Sequence, residues 1–390
     1  MKATRSKRTV WCYLLFVTFA NFATTLSFLT IYLQHLRFNI AAISAFLLIY
    51  QLSKFLFEIP TGFLSDKYGR KIIGRSGLAG MIFYYALLIW CPTAISMSFA
   101  LAIRGLSESC ISGSLESLFI DSLSTDELAR YNAIERVCFY AANGLSALLG
   151  GALFNAGLCS LSIIGDIAAA AIALLSSVGI DVSNEPALDG IPNKPPTFTD
   201  VVSSLRANPI LFSFLAMDFA QAFCFVGLEE FYTLVLQQNG IDSAWAGGII
   251  AVQLIATSLF GLLVPYLLKG RSKTESLYQF ALMRLATTAL LLVPGMPFPL
   301  IPALYFLSDL LFTLFAPIKY ELFQSACPAK YRATIISMQS QLTSLGAIAF
   351  FLLSSVLSTA LDVQPILLTS LALSSTLYIP ALCKVTSRHN

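Results

Sequence analysis

Charged residues are scarce in this chain of 390 residues, where they make up only 12% of the total. A soluble globular protein carries about 25% charged residues. Hydrophobic residues reach 57%, and neither sign of charge accumulates, since the net charge is +3. The composition therefore predicts a membrane protein and gives no indication of nucleic acid as a partner.

Signatures of cofactor chemistry are missing as well. The eight cysteines are scattered, mostly inside apolar runs, without a CxxC pair or a histidine spacing typical of zinc. The sequence shows no nucleotide-binding loop, nucleophile elbow or appended soluble domain. We therefore expect no cofactor and no metal site, and the missing motifs argue against an ATP-driven pump or a membrane enzyme.

Long apolar runs occupy most of the chain. A helix needs about 20 apolar residues to cross the hydrocarbon core of a bilayer. On this criterion the sequence predicts twelve spans, at about 10–35, 40–64, 73–92, 95–120, 132–156, 159–180, 209–236, 244–268, 275–294, 298–319, 333–359 and 363–384.

The distribution of Lys and Arg predicts the topology. These residues concentrate in alternate connections and in both tails, so both termini are expected in the cytoplasm. The long connection 181–208 separates residues 1–180 from residues 209–390, and weak sequence echoes relate the two halves. We predict an all-α membrane protein with twelve transmembrane helices in two six-helix pseudo-repeat bundles around a central cavity.

Ionisable side chains inside the predicted spans are costly to bury and are therefore candidates for function. Lys54 and Glu58 lie four residues apart on the second span, and we interpret them as an ion pair that packs helices together. Asp166, on the sixth span, is expected to be structural. The remaining candidates are Arg104, Glu108, Asp218, Glu229, Tyr305 and Asp309.

A charged, glycine-punctuated stretch between the second and third spans is the most specific motif. It resembles the signature of the major facilitator superfamily between helices two and three, roughly G-x-L-a-D-r-x-G-r-K. The matching residues are Gly62, Leu64, Asp66, Lys67, Gly69, Arg70 and Lys71. Just upstream, the run from Glu58 to Gly62 resembles the lead-in of efflux-type members, the drug:proton antiporter branch.

The resemblance implies a conformational latch on the cytoplasmic side. In that fold Asp121 would lie beside Arg70, so that Asp66, Arg70 and Asp121 form a charge relay supported by Gly62, Gly69 and Lys71. The relay would hold the cytoplasmic side closed and open as the halves rock. The alternative interpretation is that these charges only set the topology.

The resemblance also implies a cavity lined by helices one, four, seven and ten. Arg104 matches the basic residue of the superfamily's R-x-x-x-G motif, although Glu108 stands in place of its glycine. An acid near the middle of the membrane could carry a proton, and Asp309 is the first candidate. Static structural pairs are the alternative for these residues.

The function that follows is secondary transport by alternating access. We predict proton-coupled export of a small amphipathic or drug-like compound by a monomer in a bacterial cytoplasmic membrane. Import of a metabolite or nutrient is the alternative, and a non-transporting membrane receptor or assembly factor is an alternative of another class. The expected partners are the substrate, protons and the lipid bilayer.

The predicted topology is testable by labelling. A single Lys194→Cys substitution on a cysteine-free background should be inaccessible to a membrane-impermeant maleimide in intact cells, because residues 181–208 are expected in the cytoplasm. It should be labelled once the cells are permeabilised. Labelling from outside intact cells would contradict the twelve-helix topology.

Overall fold

The computed structural model describes residues 7–90, 92–112, 114, 125–180, 208–297, 299–328 and 332–387. These residues form an all-helical fold with a short 3-10 turn at Leu26–Phe28. The α-helices are α1 Lys7–Ala20, α2 Leu29–His35, α3 Ile40–Tyr68, α4 Arg70–Trp90, α5 Ala94–Ile111, α6 Thr125–Asn155, α7 Cys159–Val178, α8 Pro209–Gln238, α9 Ser243–Leu267, α10 Lys273–Leu291, α11 Leu300–Ala326, α12 Arg332–Leu357 and α13 Val363–Thr386.

Ten helices within the described ranges are long and apolar enough to cross a membrane. Two predicted spans are not among them. The predicted span 275–294 corresponds to α10, which carries Lys273, Glu275 and Arg284 within 19 residues. The predicted span 10–35 is not one continuous helix, because α1 ends at Ala20 and α2 begins at Leu29. The count of twelve spans therefore stays a prediction at these two places.

A buried carboxylate explains the break between α1 and α2. Asp166 of α7 is 1% exposed and accepts hydrogen bonds from the backbone N–H groups of Thr24, at 2.7 Å, and Thr25, at 2.8 Å. The Thr24 hydroxyl also donates to it, at 2.7 Å. A broken helix leaves backbone donors without partners, and in an apolar environment these must be satisfied by side chains. Asp166 does so and thus has the structural role expected of it.

The chain divides into two compact units. Unit 1 contains residues 1–189 and 240–255, and unit 2 contains residues 190–239 and 256–390. In unit 1, α5 packs on α3 and α4, and α7 packs on α1 and α4. In unit 2, α8 packs on α12 and α13, and α10 packs on α11 and α13. The predicted division instead assigned all of residues 209–390 to the second half.

Close backbone contact joins the start of α9 to unit 1. A Cβ atom added at Gly247 would lie 2.4 Å from the carbonyl oxygen of Ala147, and one added at Gly151 would lie 2.4 Å from that of Ser243. Small residues allow helix backbones in membranes to approach this closely. Because α6 and the first half of α9 interlock here, residues 240–255 group with unit 1 rather than with the helices that follow them.

A second close contact brings the candidate charges of unit 1 together. Gly105 of α5 faces the backbone of α3, where a Cβ atom on Gly105 would lie 2.5 Å from the carbonyl oxygen of Tyr50 and 2.8 Å from the amide nitrogen of Lys54. The absence of a side chain at Gly105 therefore sets the distance between α3 and α5.

Substituting Gly105 should separate these helices. Gly105→Ala is expected to lower the unfolding free energy by roughly 1–3 kcal/mol, because the methyl group cannot be accommodated against a backbone. Gly165→Ala is a matched control in the same unit, since a Cβ atom there meets nothing within 4 Å. Thermal unfolding in detergent should show a lower midpoint for Gly105→Ala alone. Equal midpoints for the two variants would contradict the close packing.

Candidate functional site

The candidate site of unit 1 centres on Glu108 of α5. One carboxylate oxygen accepts from Arg104 Nε at 3.0 Å, and the other accepts from Lys54 Nζ at 3.1 Å. The hydroxyl of Tyr50 donates to the same oxygen as Lys54, at 2.5 Å. The predicted contact of Arg104 with Glu108 is present, whereas Lys54 has a different partner from the predicted Glu58. Lys54 reaches Glu108 because Gly105 lets α3 approach α5.

The aromatic ring of Tyr50 holds the two cations of this cluster. The guanidinium carbon of Arg104 lies 4.2 Å from the ring centroid, and the ammonium nitrogen of Lys54 lies 5.9 Å from it. A cation over an aromatic face is attracted by the ring quadrupole, and the attraction increases when the cation is removed from water. Arg104 is only 7% exposed. The cluster thus brings Arg104, Lys54 and Glu108 together around the side chain of Tyr50.

A cavity of about 720 Å³ adjoins this cluster and the break between α1 and α2. Its charged lining consists of Lys54, Glu108, Glu135, Arg136 and Asp166. Its aromatic lining consists of Phe16, Phe19, Phe22, Tyr85 and Phe139. Small-molecule sites usually measure about 300–1,000 Å³ and combine apolar walls with a few polar groups. The volume and lining of this cavity match that description.

Unit 2 contains an independent ion pair at Asp218. Its carboxylate accepts from the ammonium group of Lys319 on α11 and, at 2.8 Å, from Gln339 Nε2 on α12. Asp218 is 6% exposed. Asp218 was predicted as a pathway residue, and the structure pairs it with Lys319. Lys319 stands at the end of the predicted span 298–319, and its side chain is only 12% exposed.

A second cluster of unit 2 contains the other predicted acids. Arg284 of α10 carries a positive charge that acts on both Glu229 of α8 and Asp309 of α11. Tyr305 lies on α11 one turn from Asp309 and stacks on Tyr232, with ring centroids 3.6 Å apart. The structure therefore brings Glu229, Tyr305 and Asp309 into one electrostatic neighbourhood, with Arg284 at its centre.

Three residues that take part in these contacts were not selected from the sequence as site residues: Tyr50, Lys319 and Gln339. Tyr50 precedes Lys54 by four residues, so helical periodicity could have placed it on the same face. Lys319 is the last residue of the predicted span 298–319, and no local sequence signal pairs it with Asp218. For Gln339 no local signal exists, because its contact with Asp218 joins positions 121 residues apart.

The superfamily can now be assigned. The sequence model of the Major Facilitator Superfamily matches residues 11–351. This chain belongs to the Major Facilitator Superfamily. No curated protein sequence matches it.

Solved structures agree with the superfamily fold. A mutant of the nucleoside transporter NupG superposes with a TM-score of 0.77 at 17% identity, covering 97% of this chain and 99% of that one. A bacterial homologue of the iron transporter ferroportin superposes with a TM-score of 0.73 at 14% sequence identity, and the match covers 96% of this chain and 98% of that one. The human organic anion transporter MFSD10 superposes with a TM-score of 0.65 at 16% sequence identity, and the match covers 97% of this chain and 100% of that one. These identities show the fold alone. Family and fold together make the chain a multi-pass membrane transporter.

The signature motif of the superfamily is more helical than its sequence suggests. Helix α3 continues to Tyr68, so the predicted turn reduces to Gly69, whose φ is +95° and whose N–H donates to Ser65 O at 3.0 Å. A positive φ of this kind favours glycine. Asp121 and the side chain of Asp66 lie outside the described residues, so the latch stays a prediction.

Among the described residues of this superfamily member, no group of three or more His, Cys, Asp or Glu side chains could hold a metal ion. The contacts observed at the two clusters are ion pairs, hydrogen bonds and cation–π contacts. Each cluster lies on helices within one unit, and each combines acids, a buried arginine and tyrosine rings.

The Asp218–Lys319 pair should show strong energetic coupling. Asp218→Asn alone leaves Lys319 charged and buried, and removing one partner of a buried pair costs about 3–5 kcal/mol. The double variant Asp218→Asn, Lys319→Gln should recover more than half of that loss. A double-mutant cycle measured by denaturant unfolding checks this, and additive single effects would contradict a direct ion pair.

Proposed function

We propose that this superfamily member is a proton-coupled secondary transporter that exports a small amphipathic or drug-like compound by alternating access. The observation that supports it most directly is the Lys54–Glu108–Arg104 cluster at the wall of the unit 1 cavity. Buried charges in spanning helices typically mark substrate and ion pathways. We place the protein in a bacterial cytoplasmic membrane as a monomer, with both termini in the cytoplasm.

The lining of the unit 1 cavity favours an amphipathic substrate. Charges of both signs line the same cavity as phenyl and phenol rings. A solute with an apolar body and one polar or charged group would meet a partner for each part. The cavity volume accommodates a molecule of drug-like size.

Proton coupling is best supported at the unit 2 cluster of Glu229 and Asp309. Glu108 and Asp218 already have direct ion-pair partners, which are Lys54 and Arg104 for Glu108 and Lys319 for Asp218. Glu229 and Asp309 both lie within the electrostatic influence of Arg284. A carboxylate that is partly removed from water reduces its desolvation cost by binding a proton. Asp309 is half-buried, whereas Glu229 is exposed. Asp309 is the first candidate and Glu229 the second.

The direction of transport rests on the efflux-type stretch from Glu58 to Lys71 and on the intramembrane acids. Import of a metabolite is the second candidate, because a nucleoside transporter is among the structures with the same fold. A compound panel in an efflux-deficient host separates the two. Export predicts resistance that collapses with a protonophore, whereas import predicts growth on a scarce nutrient.

Asp309→Asn should uncouple transport from the proton gradient. The amide cannot bind and release a proton, so uphill movement of the substrate identified in the host should fall at least tenfold in everted vesicles. Exchange of that substrate at equal pH should continue, since exchange needs no net proton movement.

The matched control is Asp362→Asn, an exposed aspartate at the start of α13 whose side chain makes no capping hydrogen bond. It should transport like the unsubstituted protein. Uphill accumulation by Asp309→Asn at the control level would eliminate Asp309 as the coupling site.

A further inference from the structure

Arg284 is held in an unusual way for a buried cation. Its guanidinium carbon lies 3.5 Å from the ring centroid of Phe225 on α8 and 4.3 Å from that of Phe312 on α11. The residue is 6% exposed, and its Nε atom has no hydrogen-bond partner. In the described part of the chain, no carboxylate forms a direct ion pair with it.

This arrangement leaves hydrogen-bonding capacity of the guanidinium unused. The phenyl rings attract the charge of Arg284 through cation–π contacts, but a ring face does not replace an oxygen acceptor for the N–H groups. A buried charged donor without an acceptor is strongly unfavourable. The planar fork of N–H groups matches a carboxylate, which can accept two of them at once.

Two further buried polar atoms without partners lie on α8, the helix that also supplies Phe225. They are Gln221 Oε1 and the hydroxyl oxygen of Tyr232. Gln221, Phe225 and Tyr232 are spaced by four and seven residues, which places them along one helical face. The Tyr232 ring stacks on Tyr305, whose environment includes the charge of Arg284. The neighbourhood therefore contains an unused donor, an unused acceptor and a pair of stacked aromatic rings.

Titratable groups around Arg284 come from every helix packed against it. Glu229 and Cys224 belong to α8, Asp309 and Tyr305 to α11, and Tyr378 to α13. The two acids compete with any anion for the guanidinium, because an ionised carboxylate repels a second negative charge. Removing one acid should therefore strengthen anion binding. Glu229 is exposed, so the cluster reaches the surface of unit 2.

We propose that Arg284, with Tyr232 and Tyr305, binds the carboxylate of an organic acid with an aromatic or apolar body. Arg284 pairs with the carboxylate in the guanidinium plane, while the aromatic side chains contact the body of the ligand. This inference deepens the proposed function, on which it rests, by naming a chemical class for the substrate. In this proposal Arg284 binds the substrate in addition to neutralising the neighbouring acids.

Benzoate is a suitable probe, and benzamide is its neutral counterpart of nearly the same shape. Calorimetric titration of the purified full chain in lipid nanodiscs should show benzoate binding at least tenfold tighter than benzamide. Arg284→Gln should weaken benzoate at least tenfold and leave benzamide unchanged. The control Arg271→Gln, at an exposed position of the same unit, should bind benzoate normally. Equal affinities for benzoate and benzamide, or unchanged benzoate binding by Arg284→Gln, would overturn the proposal.

Two further variants decide the matter if Arg284→Gln does not fold. Tyr232→Phe removes a hydroxyl that has no partner, so its unfolding temperature should not fall, yet benzoate should bind about threefold more weakly. Asp309→Asn should strengthen benzoate binding severalfold, because a competing carboxylate is gone. Tighter benzoate binding by Tyr232→Phe together with weaker benzoate binding by Asp309→Asn would refute the site. These titrations use no proton gradient, so they can fail while proton-driven export succeeds, and the converse also holds.

Discussion

The charge balance around Glu108 is the interaction on which the functional organisation of unit 1 depends. One carboxylate engages Lys54 of α3 and Arg104 of its own helix, and the Tyr50 hydroxyl adds a hydrogen bond. Arg104 is buried, and removing such a charge from water is costly unless it is paired. Together these charges are tolerated, and they form part of the wall of a cavity large enough for a small molecule. The backbone contact at Gly105 makes this balance geometrically possible.

The need to pair buried polar groups also explains why the first apolar run, 10–35, is not one continuous helix. The backbone N–H groups of Thr24 and Thr25, at the break between α1 and α2, donate hydrogen bonds to the Asp166 carboxylate. The hydroxyl group of Thr24 also donates to it, so the buried carboxylate has hydrogen-bond donors of its own. Neither the break nor the buried acid would be stable without the other. Because residues beside the break line the cavity, this local exchange of hydrogen bonds also shapes the candidate binding site.

The charged side chains of unit 2 are arranged differently from those of unit 1. Asp218 and Lys319 neutralise each other directly, with Gln339 completing the hydrogen bonding of the carboxylate. Arg284, Glu229 and Asp309 are instead coupled through space around aromatic rings. The two arrangements differ in their observed contacts: Asp218 and Lys319 form a direct ion pair, whereas Arg284 contacts aromatic rings. This difference supports the roles proposed above for the second group.

The sequence by itself determined the all-helical membrane class, the superfamily and the positions of most spans, because apolar runs and a short charged motif are local properties. It also placed Arg104 beside Glu108, since helical periodicity is local as well. Only the tertiary structure decided that Lys54 meets Glu108, that Asp218 meets Lys319 and that Asp166 holds a broken helix. It also decided that residues 240–255 belong with unit 1. These outcomes depend on which helix faces approach each other and how closely, and the contacts that set this join residues far apart in the chain.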